Sequence, residues 1–188
     1  RMGRVQGAAL SHLGLTCAHH PHDSSAFVKL LALASVWPLV ALVYAGAKAR
    51  HTPQLGSAPA LLLAESVARC LKHAVRQPRP AASAALLGLA ATPGWPSSHA
   101  ALAAAFAAYE TLEALSSAAA APPPSPLRLA EVAAFWLLAL LTAASRVALG
   151  YHSVAQVTAG ALVGLCAAAL WWQVAGDGAA LRRAALTH

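Results

Sequence analysis

Apolar stretches separated by short polar or Pro-rich breaks dominate this chain. A helix needs about twenty mainly apolar residues to cross a bilayer, and five stretches approach that length. We predict spans over residues 27–47, 57–72, 97–115, 131–149 and 153–174, with a Pro-rich break at 121–126. Pro38 lies inside the first span and is expected to kink it. The pattern therefore predicts an all-α fold, a polytopic transmembrane helical bundle of about five spans.

Side chains within these spans indicate how the helices pack. Trp171 and Trp172 close the fifth span, as aromatic residues do at a membrane interface. Gly160 and Gly164 form a small-xxx-small pair, which allows close helix packing within this chain or between chains. Glu65 in the second span is expected to face protein or water, because lipid does not solvate a carboxylate.

The alternation of five spans predicts a topology. The loop at 75–96 and the loop around Gly150 fall on one side of the membrane. The other side carries Lys48, Arg50, Arg128, Arg182 and Arg183. Cytoplasmic loops are enriched in Lys and Arg, so we assign that side to the cytosol and the two loops to the lumen or exterior. The N-terminal cations Arg1, Arg4 and Lys29 partly oppose this assignment.

Composition also favours a membrane protein. The chain of 188 residues is 59 % hydrophobic and only 10 % charged, with a mean hydropathy of +0.58, whereas soluble domains carry about 25 % charged residues. We predict one membrane-embedded domain over 1–188, with an extramembrane segment at 1–26 and a cytosolic tail at 175–188. The widely spaced Cys17, Cys70 and Cys166 form no disulfide framework and are interpreted as apolar fillers.

The net charge of +7 is concentrated beside the spans. Four cations (Arg69, Lys72, Arg76 and Arg79) lie within eleven residues that contain no acid. Because this run abuts apolar spans, an anionic headgroup or a phosphate is a better partner than nucleic acid. No nucleic-acid-binding motif accompanies it.

Three motifs fall at the predicted lumenal or exterior ends of the spans. The first runs from Lys72 through Arg79 to Pro80, and the second is Pro96-Ser97-Ser98-His99. The third is Ser145-Arg146, then His152, then Gln156. Lys72, Arg79 and Arg146 supply three cations for a phosphate, which Arg binds bidentately. Ser97 and Ser98 begin the third helix, where backbone N–H groups and the helix dipole favour an anion.

Two histidines complete the predicted chemistry. His152 is suited to attack phosphorus and form a phosphohistidine, and His99 is suited to donate a proton to the leaving oxygen. Gln156 lies four residues after His152, so on a helix it neighbours that ring and is expected to accept its hydrogen bond and fix its tautomer.

The three motifs resemble the signature of the type 2 phosphatidic acid phosphatase superfamily: Lys-x6-Arg-Pro, Pro-Ser-x-His and Ser-Arg-x5-His-x3-Asp. The chain matches every position but the last, where Gln156 replaces Asp. The resemblance implies a helical-bundle membrane fold, phosphate binding by Lys72, Arg79, Arg146, Ser97 and Ser98, and catalysis by His152 as nucleophile and His99 as acid. It also implies that no metal is needed.

With Gln at position 156, the third motif resembles that of the dolichyl-diphosphatase group. Tyr151-His152, Gln77-Pro78-Arg79-Pro80 and Glu65 resemble the same group. This similarity implies hydrolysis of dolichyl (polyprenyl) diphosphate to dolichyl phosphate and inorganic phosphate, which recycles the lipid carrier for protein N-glycosylation. It further implies a multi-pass protein of the endoplasmic reticulum membrane with its active site facing the lumen. The N-terminal Leu15-Thr16 and Asp23 are similar to that group too, but the Tyr that the group has between them is missing here.

The amide at 156 lacks the negative charge with which the superfamily's Asp would stabilise a protonated histidine. A carboxylate stabilises an imidazolium, whereas an amide only orients the ring, and an Asp-to-Asn change in a serine-protease triad lowers turnover by about four orders of magnitude. The nearest acid in sequence is Glu131. Either another group compensates, or the chemistry tolerates an amide.

Other functions stay open at this point. The chain is alternatively another phosphatase of the same superfamily, acting on phosphatidate, undecaprenyl diphosphate or a sugar phosphate. It is alternatively an anionic-lipid binder without turnover, or a structural membrane subunit. His19, His20, His22 and Asp23 suggest a metal site, but partner ligands are not evident, and no metal and no cofactor is predicted.

Overall fold

The structure, a computed structural model, describes residues 33–49, 56–81, 92–119 and 123–186. The elements are, in chain order, α1 (Trp37–Ala49), α2 (Ala58–Val75), α3 (Ser98–Ala119), α4 (Pro126–Ala148) and α5 (Val154–Leu186). The described part of the chain contains no strand, so the predicted all-α class is confirmed there. The predicted N-terminal segment at 1–26, including Cys17 and the His19–Asp23 stretch, lies outside the described residues.

Pro38 lies directly after an interruption of the helix. The chain makes a turn at residues 35–36, and α1 begins at Trp37, so Pro38 occupies its first turn. A proline there removes an N–H that has no intrahelical acceptor, whereas deeper in a helix it would cost a hydrogen bond. Residues 33–34 are helical too, so the helix is interrupted at the turn just before Pro38, in line with the predicted kink.

α3 is the central helix of the bundle. Its face from Ala100 to Ala107 is almost entirely buried, and alanine predominates there. Small side chains let neighbouring backbones approach closely. A Cβ on Gly160 would lie 2.3 Å from the Ser97 carbonyl oxygen, and one on Gly164 would lie 2.1 Å from that of Ala101. The predicted glycine pair thus packs α5 against α3 within this chain.

An aromatic cluster fills the space between α1, α3 and α4. Phe106 of α3 contacts Trp37, Tyr44 and Phe135, with ring centroids 5.9, 5.7 and 4.9 Å away. Aromatic pairs in this range of distances and edge-to-face geometry add stability beyond their buried area. The cluster therefore fixes α1 and α4 on the side of α3 that α5 does not cover.

A network of charges centred on one buried carboxylate joins α1, α3 and α4; we call it the ion cluster. It consists of Lys48, Glu110, Glu113, Arg128 and Glu131. Glu110 is fully buried and accepts hydrogen bonds from Lys48 at 2.9 Å and Arg128 at 2.8 Å. Glu110 is twelve residues after Ser98, so the cluster lies about 18 Å along α3 from the start of that helix.

Two helices of the described chain have the length and apolar character needed to cross a membrane. They are α4 over Pro126–Ala148 and the part of α5 over Val154–Ala175. Within the described residues the other predicted spans are shorter or more polar, and the first span, predicted over 27–47, is described only from residue 33 onward. α1 has 13 residues, and α2 holds Glu65, Arg69 and Lys72. α5 continues as a helix to Leu186, through most of the tail predicted at 175–188.

Candidate active site

Four helix ends meet at the candidate site. α2 ends after Lys72, α3 begins at Ser98, α4 ends after Arg146, and α5 begins just before Gln156. The three sequence motifs are therefore brought together in space, as their predicted placement on one side of the bundle requires. Main-chain bonds tie them: Gly94 N–H donates to Gln77 O at 2.7 Å.

The imidazole of His152 is buried and held at both nitrogens. Nδ1 lies 2.8 Å from the carbonyl oxygen of Gly94, and Nε2 lies 3.2 Å from Nη1 of Arg79. A carbonyl only accepts and a guanidinium only donates, so the proton sits on Nδ1 and the lone pair on Nε2. That lone pair is the one a nucleophilic imidazole needs.

Arg79 reaches across the site from the first motif. Its Nη1 donates to the carbonyl oxygen of Tyr151 at 3.1 Å, and its Nε donates to Thr92 Oγ1 at 2.9 Å. These bonds fix the plane of the guanidinium against the His152 turn. The planar fork is thereby oriented before any anion binds, which reduces the entropy lost on binding.

The other two cations come from α2 and α4. The Lys72 ammonium donates to the carbonyl oxygen of Pro96. Arg146 is buried, and its guanidinium carbon lies 4.0 Å above the ring of Tyr151. Burial, together with Arg79, Arg146 and Lys72, lowers the pKa of His152 to about 2. His152 is therefore neutral, as a nucleophile must be, at any physiological pH.

The second motif begins α3 beside these cations. Ser97 is fully buried, its N–H donates to Gln156 O at 2.9 Å, and within the described chain its Oγ has no hydrogen-bond partner. Ser98 is half-buried at the first helical position, and His99 is buried in the first turn. A helix N-terminus with an unsatisfied hydroxyl next to three cations is suited to an oxyanion.

Gln156 accepts a hydrogen bond from the His152 ring, as the sequence predicts, but it shares the Nδ1 proton with a second acceptor. Its Oε1 lies 3.3 Å from His152 Nδ1, farther than the 2.8 Å to Gly94 O. The principal acceptor of the ring proton is thus a backbone carbonyl. Glu131, the nearest acid in sequence, belongs to the ion cluster, where it accepts from Arg128 at 2.6 Å. It does not compensate for the amide at 156.

Gly94, Thr92 and Tyr151 O are site groups that the motifs did not identify. Gly94 and Tyr151 act through their carbonyl oxygens, which every residue has, so their roles leave no chemical signature in the sequence. Gly94 leaves one signal, since a Cβ there would lie 2.7 Å from Gln156 Nε2. A glycine just before the Trp-Pro of the second motif is therefore required by the close approach of the other two motifs.

Fold and site together define a helical protein in which three cations and the start of a helix lie close to a buried, neutral histidine. The chain belongs to the PAP2 superfamily, whose family model matches residues 55–178 and so includes all three motifs. It is also similar to lipid phosphate phosphatase gamma of Arabidopsis thaliana, with 36 % identity over 114 residues, 61 % of this chain and 50 % of that protein. The chain thus spans about half the length of this relative. No solved structure matches.

Proposed function

We propose that this protein is a multi-pass membrane phosphatase that hydrolyses a dolichyl-type polyprenyl diphosphate to the monophosphate and inorganic phosphate. The observation that carries the proposal is the pairing of Arg79 Nη1 with His152 Nε2 at 3.2 Å, while Gly94 O holds the Nδ1 proton at 2.8 Å. The nucleophile and a phosphate-binding cation are thus already adjacent. Family membership and the lipid phosphate phosphatase relative support the reaction class.

Arg79 could link phosphate binding to the freeing of the His152 Nε2 lone pair for attack. In the structure its Nη1 donates to the Nε2 lone pair. A phosphate oxygen is a stronger, charged acceptor, so an incoming phosphoryl group would take over this N–H. The lone pair would then face phosphorus. Arg146, Lys72 and the start of α3 at Ser97 and Ser98 would hold the remaining oxygens.

The proposed reaction has two steps. His152 Nε2 attacks the terminal phosphorus, a phosphorus–nitrogen bond forms, and the bond to the bridging oxygen breaks as His99 gives that oxygen a proton. Water then attacks the phosphohistidine, gives its proton to His99, and releases inorganic phosphate with His152 restored. Each histidine ends in its starting protonation state, so the cycle balances.

The proposed substrate is a polyprenyl diphosphate because of Gln156, Tyr151 next to His152, and Glu65, which resemble the dolichyl-diphosphatase group. With that substrate we propose an endoplasmic reticulum membrane location with a lumenal site. Phosphatidate is the main alternative, because the relative's name refers to lipid phosphates.

The lipid chain has a proposed path along the bundle. An apolar groove between α2 and α5 is lined by Leu63, Val67, Leu162, Cys166 and Leu170. Each CH₂ that stays out of water contributes about 0.8 kcal/mol, so a prenyl chain should remain beside these helices while its diphosphate enters the site. Cys166 and Cys70 are both free, exposed thiols.

This path is tested by thiol labelling in a variant with Cys17→Ala. A long-chain polyprenyl diphosphate should slow maleimide labelling of Cys166, which lines the groove, and leave Cys70 unchanged. Equal protection of both thiols, or of neither, would exclude this groove as the path.

The function itself is tested by phosphate release from the purified protein in detergent with EDTA. Polyprenyl diphosphate, polyprenyl monophosphate and phosphatidate are compared, with wild type beside His152→Ala. The proposal expects release by wild type alone, fastest from the diphosphate. Faster release from phosphatidate would replace the proposed substrate, and no release from any of them would leave an anionic-lipid binder.

A further inference from the structure

The carboxamide of Gln156 is held on both its acceptor and its donor side. Oε1 accepts the Ser153 N–H at 3.2 Å and lies 3.3 Å from His152 Nδ1, while Nε2 donates to Pro78 O at 2.8 Å and lies 3.3 Å from Gln77 Oε1. Gln156 is itself buried. The reverse orientation would set the NH₂ against the Ser153 N–H and the oxygen against two acceptors. Only one orientation of the amide satisfies these partners.

A carboxylate would lose half of these contacts. Glutamate at 156 has the same length but carries only acceptors when ionised. It would set an oxygen where Nε2 now lies, 2.8 Å from Pro78 O. Aspartate is also one methylene shorter. The ring proton of His152 does not require either acid, because Gly94 O already accepts it.

Gln156 Nε2 holds the carbonyl of Pro78, the residue directly before the cation Arg79. Pro78 precedes Arg79, whose Nη1 lies 3.2 Å from His152 Nε2. The acceptor end of the same amide holds the turn that contains His152, through Ser153. The amide therefore spans the two chain segments whose side chains must face each other.

We propose that Gln156 is a positioning residue that sets the Arg79–His152 geometry through its NH₂ group, so that in this chain an acid at 156 impairs the site. The proposal rests on the proposed function and goes beyond it, since it assigns the amide a task that the superfamily's Asp cannot perform here.

The test compares Gln156→Glu and Gln156→Asp with wild type. A 1 Å misplacement of reacting groups costs about a hundredfold, so we expect both acids to lower kcat/KM by roughly ten- to hundredfold, with KM rising as Arg79 loses its position. Gln77→Glu is the matched control. It adds the same charge next to Nε2 but keeps that donor satisfied, so its loss should be clearly smaller. Activity equal to or above wild type in either acid would overturn the proposal.

Two further readouts separate positioning from a general loss of structure. ¹⁵N NMR of labelled histidine should show His152 protonated at Nδ1 in Gln156→Glu, as in wild type, because Gly94 O is unchanged. A change of tautomer would mean that residue 156 acts through the ring and would refute the proposal.

Orthovanadate supplies a readout that does not depend on turnover. Its binding, followed by the rise in unfolding temperature, should weaken at least tenfold in Gln156→Glu, since Arg79 is displaced. If wild type binds vanadate but hydrolyses no substrate, the proposed function fails while the positioning role is still measured. Equal vanadate affinity in both proteins would remove the positioning role.

Discussion

Gly94→Ala is expected to disable the site through a single methyl group. Its Cβ would lie 2.7 and 2.8 Å from the amide atoms of Gln156 and 3.0 Å from Cγ of Arg79, whereas ordinary contacts begin near 3.4 Å. The backbone itself accepts alanine, because among the described glycines only Gly150 has a positive φ. The effect is therefore steric and local.

The magnitude follows from the displacement. Gln156 must retreat by roughly 0.7 Å to restore ordinary contact, and Arg79 by somewhat less. Misplacement of about 1 Å costs about a hundredfold in rate, which corresponds to about 2.7 kcal/mol of transition-state stabilisation. Inserting a methyl group into a packed site also costs about 1–3 kcal/mol of folding stability. We expect kcat/KM to fall between tenfold and a hundredfold.

The assay is phosphate release from polyprenyl diphosphate in detergent, with the unfolding temperature measured on the same samples. Gly46→Ala is the matched control, since nothing lies within 4 Å of a Cβ at that position of α1. Alanine in a helix is favoured over glycine by about 0.5–1 kcal/mol, so this variant should keep its activity and gain slightly in stability. Wild-type activity in Gly94→Ala would refute the contact geometry of the site.

Three further predictions concern the packing and the charges. Gly164→Ala would set a Cβ 2.1 Å from the backbone of α3, and thermal unfolding should show a loss of about 1–3 kcal/mol; an unchanged unfolding temperature would contradict the close packing. Arg128→Met removes a partner of the fully buried Glu110 and should lower the free energy of unfolding by about 3 kcal/mol. Arg69→Ala breaks an exposed i,i+4 pair and should lower it by only about 0.2–0.5 kcal/mol. Equal losses in the two variants would contradict the burial of Glu110 in the ion cluster. Because the pKa of His152 falls from 6.5 unfolded to about 2 folded, the unfolded chain binds a proton that the folded protein excludes, so stability is full above about pH 6.5 and declines toward lower pH. Unfolding between about pH 7 and pH 4 should therefore depend less on pH in His152→Gln, and an equal slope would show that this histidine is not buried as neutral imidazole.

The motif spacings predicted which side chains of the site lie close together. Lys72, Arg79, Arg146 and His152 each stand at or near the end of a helix, and an up-and-down bundle brings alternate helix ends together. Position along the chain was therefore enough to place them. What the spacings did not predict was the acceptor of the His152 proton, because a carbonyl such as that of Gly94 exists at every residue and has no sequence signature.

The number of spans and the ion cluster were harder to foresee. Alanine forms helices well but is barely apolar, so an Ala-rich stretch such as α3 has the length of a span without its hydropathy. Glu110 lies within that stretch and signals only that a partner is needed. Its partners are 62 residues earlier (Lys48) and 18 residues later (Arg128), and no local pattern connects charges over such separations.

The alanine face of α3 restricts how this protein can vary. Ala101, Ala103, Ala105 and Ala107 have no exposed surface, and neighbouring helices contact the backbone beside them. Any larger residue there must displace a helix that also carries part of the site. The outward faces of α2, α4 and α5, where Leu62, Leu137, Leu140 and Leu162 are exposed, bear no such restriction. Larger residues should therefore be tolerated at the perimeter of the bundle, where an altered surface could suit different lipid chains, and not on the buried face of α3.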